Sequence, residues 1–447
     1  MKLVFVLVAV ATAASAAVVT APGYLARTIP TPDVVQGGVV RRGDALLVGQ
    51  GKFGAGQESI VRLDGTTATV VATGFNSLGG FDVELNGNLL VVDNGGELPG
   101  AVTGDTLYEI PNATRRTDAV TAAGHEVLPP GSIPNAQDVL GIPETVLVTD
   151  AAGPGAGRVL RVSEEGEVEV AIAGLDYLGG LAFAPGGTIF VANVDAAFVG
   201  AVRRYDYYAF PQGVLASGLS GAFGAAIDAD QRTVLVSGGV ADDGSGTVVA
   251  IAPDGTVRER ARGFGFATDL FFDAQREELL VLDTGVAAVT AICGDADGDG
   301  ICDADDPCTV TRPVTRGRID VRRRLLRIAG RTALDGPLDP SATGVRVLLE
   351  SGTTTVLDVD VPPTVGWKRR TVGVWTWRAR PAPASGITRM RFVVRGEEVA
   401  FVLRGRPAAA VDMPLRAALG FDRVAVRRTC AVAAPACTVR RAGVRCR

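Results

Sequence analysis

Histidine is almost missing from this chain: His125 is the single one in 447 residues. Any histidine-based acid–base step would have to use it. It lies in a loop segment, Ala-Gly-His-Glu-Val, where a lone histidine is ordinarily just exposed. No complete Gly-x-Ser-x-Gly elbow occurs. Gly218-Leu219-Ser220-Gly221-Ala222 comes nearest and lacks the final glycine in register, so Ser-His-Asp catalysis has no support. No Gly-rich loop precedes a helix as a phosphate cradle requires, and helical periodicity is almost absent. After the N-terminal segment no stretch approaches twenty apolar residues, which excludes a helical membrane span. Lysine stands only at Lys2, Lys52 and Lys368, so arginine carries nearly all the positive charge.

What is present begins with an address. Met1-Lys2 is followed by an apolar run from Leu3 to Ala11 and small residues ending Ala14-Ser15-Ala16. This is the layout of a signal peptide (residues 1–16) cut after Ala16. The expectation is a protein that is secreted, periplasmic or on the cell surface, and monomeric. Six cysteines agree with an oxidising compartment. They form two trios, Cys293/Cys302/Cys308 and Cys430/Cys437/Cys446. Either one bridge joins the trios or each leaves a free thiol. The spacing lacks the close pairs of a four-cysteine zinc site.

Net charge is −5, but residues 309–447 hold 27 Lys+Arg against 10 Asp+Glu. Of the totals of 44 and 49, that leaves 17 against 39 in residues 1–308. A basic C-terminal module could grip an anionic surface. Alternatively, the two regions attract each other, or arginine replaces lysine under genomic bias. The second group of explanations is preferred, and no nucleic-acid partner is expected.

The dominant pattern is repetition. A short apolar strand ending in a polar residue recurs, with its last residue at Gln50, Asp93, Asp150, Asn193, Gly238 and Asp283, at intervals of 43, 57, 43, 45 and 45. A second strand precedes each by about ten residues, with turn residues such as Asn86-Gly87-Asn88 and Pro185-Gly186-Gly187 between them. A period near 44 built of short strands and Gly-rich turns points to propeller blades of four strands. The long interval holds an insertion, roughly Asn112 to Pro134. The first unit looks short of an outer strand and the last ends early at Ile292, so residues 24–34 are expected to complete the final blade. Asp93, Asp150, Asn193 and Asp283 are equivalent positions, as are more loosely Asp82, Asp138 and Asp269. Rings of such groups around a tunnel could hold calcium or magnesium. The plainer reading is that an Asp after a strand caps its turn, which the breaks at Gln50 and Gly238 favour.

The segment Gly179-Gly180-Leu181-Ala182-Phe183-Ala184-Pro185-Gly186-Gly187-Thr188-Ile189-Phe190-Val191-Ala192-Asn193 resembles the blade core of NHL-repeat and regucalcin/gluconolactonase-like propellers. That resemblance spans residues 24–292. In its gluconolactonase branch it implies a divalent metal in the tunnel, held by a Glu, two Asn/Asp and an Asp in a Ser-Asn-Gly segment that this chain lacks. Streptogramin-lyase-like propellers rely on a histidine, for which His125 is the only candidate. The histidine, arginine and lysine set of pyrroloquinoline-quinone dehydrogenase propellers cannot be placed.

Between the repeats and the basic region lies Cys293-Gly-Asp-Ala-Asp-Gly-Asp-Gly-Ile-Cys-Asp-Ala-Asp-Asp-Pro-Cys308. Asp295, Asp297 and Asp299 at alternate positions, the Ile301 carbonyl, Asp303 and Asp306 supply the oxygen-rich cage calcium prefers. The order follows an EF-hand loop as far as Gly300 but has Asp306 where the bidentate Glu belongs. It closely resembles a thrombospondin type 3 repeat. An acidic solvated linker is the alternative. Beyond it, runs such as Arg318-Ile319-Asp320-Val321-Arg322 and Met390-Arg391-Phe392-Val393-Val394-Arg395 alternate apolar with charged. They argue an antiparallel sandwich with arginines outside, and the ending resembles a C-terminal module appended to many exported bacterial proteins.

The expectation is therefore an all-β chain: a six-bladed propeller (17–292), a calcium-binding linker (293–308) and a basic C-terminal β-sandwich (309–447). The preferred function is an exported calcium-binding scaffold or binding module for an unknown extracellular ligand, polysaccharide or protein. The alternative is a metal-dependent lactonase or hydrolase with a tunnel metal site.

Overall fold

The computed structural model describes residues 17–65, 67–238, 246–296, 302–303, 310–322, 325–333, 338–351, 354–363, 366–379, 386–396, 398–407, 411, 414–420, 429–433, 437–440 and 443–446. The signal segment 1–16 lies outside them. The chain forms two compact units that part between Gly294 and Asp295. Both are built of strands; the one helix described is a single turn, Pro340–Thr343. No helix among the described residues is long and apolar enough to cross a membrane.

The first unit consists of six successive sheets whose main strands run antiparallel. Their first strands are Val35–Arg42, Ser77–Val83, Ala136–Ile142, Tyr177–Ala184, Ala225–Ile227 and Ala267–Asp273. Each of these packs on the next, and the sixth packs back on the first. The apolar runs do not alternate because each sheet is buried on both faces. In the second strand of the second sheet, Leu89 and Val91 pack toward the first sheet, whereas Leu90 and Val92 pack toward the third. The same division holds all round, so the unit has six hydrophobic clusters, one between each neighbouring pair of sheets.

The sixth sheet takes its outer strand from the N-terminal side: Tyr24–Pro30 pairs antiparallel with Ala288–Gly294. The first sheet, in contrast to the sequence expectation, is complete, with strands Val35–Arg42, Ala45–Gly51, Glu58–Asp64 and Thr67–Phe75. The insertion after Ile110 contributes a two-residue strand, Val120–Thr121, that pairs with this outer edge at Ala72 and Thr73. The second sheet keeps three strands. Charge also joins the sixth sheet to the first. Arg41 is buried and contacts both Glu278 and Asp273, the latter at 3.4 Å, while Arg27 meets Glu278 from the N-terminal strand.

The second unit has a five-stranded and an eight-stranded sheet. One cluster takes Val347, Leu349, Ala417 and Leu419 from the first and Ile328, Met390, Phe392, Phe401 and Leu403 from the second. Trp375 is buried in that cluster, with Trp367 and Trp377 packed against it, which is why these aromatics share a face. Among the described residues no cysteine is free, and Cys293, Cys302 and Cys446 are each in a disulfide.

Candidate active site

The equivalent strand-end residues are spent on turns. Asp93 accepts from the backbone N–H of Asn76 at 3.0 Å and of Ser77 at 2.8 Å. Asp283 accepts from Gly265 at 2.9 Å and Phe266 at 2.6 Å. Asp150 accepts from Asn135 at 3.1 Å and pairs with Arg158 at 2.8 Å. Asn193 receives Arg203 Nε at 3.2 Å. Each of the three carboxylates therefore holds the turn leading into its own sheet, as short polar side chains do. The hydrogen bonds thus match the preferred turn-capping reading of Asp93, Asp150 and Asp283 rather than the alternative ring around a shared ion. Among the described residues, no group of three or more His, Cys, Asp or Glu side chains converges as a metal site.

The looser set is the one the fold brings together. Phe81, Val139 and Leu270 occupy one register position in their sheets, as do Val39, Leu181 and Ala225. The residue before each of these is Gly38, Gly80, Asp138, Gly180, Gly224 or Asp269. Four first strands carry glycine there, because a Cβ would strike the neighbouring first strand: at Gly38 it would lie 2.7 Å from Phe81 N, at Gly180 2.5 Å from Ala225 N. The third and sixth sheets, three apart in a cycle of six, carry aspartate instead. Asp138 Oδ2 accepts from Leu181 N at 2.7 Å and Asp269 Oδ2 from Val39 N at 2.8 Å, so each reaches across to the next sheet. Asp82 lies two positions further along its strand and accepts from Gly141 N at 2.6 Å.

These three carboxyls keep some contact with water, yet the unit packs around each closely enough that burial dominates its acidity. Burial pushes the Asp138 carboxyl well above its ordinary value, and the Asp269 and Asp82 charges push it further. Burial, with the charge of Asp82, raises Asp269 to about 7. Asp82 is raised to about 6, again chiefly by burial.

A second acidic pair was not legible in the sequence. Glu58 opens the third strand of the first sheet and accepts from Leu78 N at 2.5 Å in the second. Burial, with the Asp93 charge nearby, raises it to about 8, and burial raises Asp93 to about 7. A raised acid binds its proton more tightly in the folded than in the unfolded chain, where such carboxyls titrate near 4. The stability this confers is complete below about pH 4 and is lost as pH rises through 6 to 8. Opposing terms at paired carboxylates act only at lower pH. Thermal unfolding followed by circular dichroism is thus expected to show a melting temperature about 5 °C or more lower at pH 8 than at pH 5. Glu58→Gln should flatten this slope; a melting temperature that rises over that interval would contradict it.

The backbone of His125 bonds to Glu109 N at 3.0 Å, on the outermost strand of the second sheet, so it is not part of the first-strand set. In the acidic loop, Asp295 is buried and Asp303 Oδ1 accepts from Ala296 N at 3.0 Å. Asp297, Asp299, Ile301 and Asp306 lie outside the described residues.

No family model matches this sequence, and no curated protein matches it. Solved structures do. A putative gluconolactonase is 15% identical, with 61% of this chain and 93% of that one covered at a TM-score of 0.42. A calcium-binding regucalcin from Agrobacterium tumefaciens is 16% identical over 58% and 90%, at 0.43. A gluconolactonase from Xanthomonas campestris is 15% identical over 60% and 97%, at 0.36. The expectation of a binding or scaffold module is corrected on this finding: the similar structures are gluconolactonases and a regucalcin.

Proposed function

We propose that the first unit is a six-bladed β-propeller that hydrolyses lactones, with Asp138 and Asp269 as its acid–base pair. One observation carries this reading. Two carboxyls occupy a register position that the other four sheets give to glycine, on sheets three apart, and both hold protons more tightly than usual. On this reading the two share a proton at neutral pH, so that one is a base and the other an acid. The ionised member takes a proton from water as the water oxygen bonds to the lactone carbonyl carbon. The ring C–O bond then breaks, and the protonated member delivers its proton to the ring oxygen. The product is the open hydroxy acid, and the pair ends with its proton on the opposite carboxyl. The gluconolactonase names of similar structures agree with this substrate class. Acid release from D-glucono-1,5-lactone, followed with a pH indicator against the spontaneous rate, tests it. Catalysis with a bell-shaped pH profile is expected, and no acceleration of any five- or six-membered lactone would contradict it.

The remaining organisation follows the sequence. We read residues 309–447 as a β-sandwich, 1–16 as an export signal, and 293–308 as a thrombospondin type 3-like loop holding calcium on Asp295, Asp297, Asp299, Ile301, Asp303 and Asp306. The hydrogen bond from Ala296 N to Asp303 Oδ1 supports that reading. Chelating calcium should then open residues 293–308 to protease while the first unit resists, as seen by gel and mass spectrometry. Identical cleavage with and without chelator would count against the cage.

A further inference from the structure

The eight-stranded sheet of the second unit gives one face to the core through Ile328, Met390, Phe392, Phe401 and Leu403. Its opposite face carries arginines in line. Arg378 stands opposite Arg389, Arg389 opposite Arg404, and Arg404 opposite Arg327, which places four guanidinium-bearing residues on four adjacent strands in one row. Arg391, two residues from Arg389, shares the face. All five are exposed. The row ends at Asp320, opposite Arg327 on the next strand, and Asp320 is taken by Arg318 at 2.5 Å and Arg445 at 2.8 Å.

Three arginines elsewhere in this unit have acidic partners. Arg331 pairs with Glu398, Arg346 with Asp358 and Arg416 with Glu350. Among the described residues, none of Arg327, Arg378, Arg389, Arg391 and Arg404 makes an ion pair. Like charges directly opposite on neighbouring strands destabilise a sheet. A preference for arginine over lysine explains the residue type but not four of them in register. A row kept against its own repulsion fits a surface whose counter-charge comes from a ligand.

We propose that this face binds a linear acidic polysaccharide with one carboxylate per sugar, laid along the row. Neighbouring strands are about 4.7–4.9 Å apart, the scale of a single sugar unit, so successive arginines can meet successive carboxylates. The guanidinium fork suits bidentate carboxylate pairing. The exposed row includes no aromatic side chain, whereas single-stranded nucleic acid binders stack bases on aromatics. The inference is independent of the lactonase reading, since it uses the other unit.

The test is calorimetric titration of the full chain with polygalacturonate, in parallel with a single-stranded oligodeoxynucleotide of equal charge. Polygalacturonate should bind at about 50 mM salt and weaken at least about tenfold by 200 mM. Arg389→Thr/Arg404→Thr should lose tenfold or more in affinity while melting no lower than the parent, because it relieves repulsion. Arg404→Lys, which keeps the charge and the fold, should fall between. Arg346→Gln removes one charge from the five-stranded sheet and should bind as the parent does. Three results would overturn the proposal: no binding at low salt, tighter binding of the oligodeoxynucleotide, or equal loss from Arg346→Gln.

Discussion

Asp138→Asn and Asp269→Asn are each expected to lower lactone hydrolysis by about 10²–10⁴-fold, the usual range for losing a positioned acid or base. The substitution is nearly isosteric. An amide oxygen can still accept from Leu181 N or Val39 N, the contacts that tie each carboxylate to the next sheet. The fold should therefore survive and KM should move little, so that the loss falls on kcat. Because the two groups act as a unit, the double variant should be scarcely worse than either single one. Asp150→Asn is the matching control: the same chemical change at a buried carboxylate that holds a turn should affect melting but not the rate. Parent-like kcat in both Asp138→Asn and Asp269→Asn would remove the pair from the mechanism.

Arg41→Ala is expected to cost about 3–5 kcal/mol of unfolding free energy, as breaking buried ion pairs does. Arg41 is 8% exposed and its partners Glu278 and Asp273 are 1% and 6% exposed, so the deletion strands two carboxylates. Arg27 remains on Glu278 and Arg276 lies 3.8 Å from Asp273, which places the cost toward the lower end. The location matters as much as the chemistry. This network joins the sixth sheet to the first, where the chain returns on itself, and Arg27 comes from the N-terminal strand of the sixth sheet. Arg41→Met combined with Glu278→Met should recover most of the loss, since matched apolar groups replace a buried pair at little cost. Urea unfolding monitored by tryptophan-independent far-UV circular dichroism measures both. A loss below about 1 kcal/mol for Arg41→Ala would place the network in effective contact with solvent.

Repetition made the strand units readable. Runs such as Leu89-Leu90-Val91-Val92 are apolar at every position because each sheet lies between two others, and their return at near-constant spacing marks one sheet each. The outer strand of the last sheet was also legible, because the repeats run out at Ile292 while an unassigned strand remains at Tyr24–Pro30. The register was not. Irregular pairing between Leu78 and Phe81, Ala136 and Asp138, and Ala267 and Asp269 shifts the first strands. Asp138 and Asp269 thus fall in line while Asp82 stands two places on, a distinction no spacing in the sequence shows. The Gly-Gly steps at Gly37–Gly38, Gly79–Gly80 and Gly179–Gly180 were the available signal: glycine where backbones approach closely makes any side chain at that position an exception. Glu58 gave no signal, since its role depends on facing the next sheet. Strand-end aspartates are conspicuous in the sequence but serve turns, whereas the grouped carboxylates lie in less regular strands.

Carbon-13 NMR titration of the aspartate carboxyls, in the parent and in Asp269→Asn, tests the shared-proton pair most directly. A parent carboxyl still protonated near pH 7, assigned to the Asp138/Asp269 pair, is expected, with a lower titration point for Asp138 once the Asp269 charge is gone. Titration of both carboxyls below pH 5 in the parent, unchanged by Asp269→Asn, would contradict it.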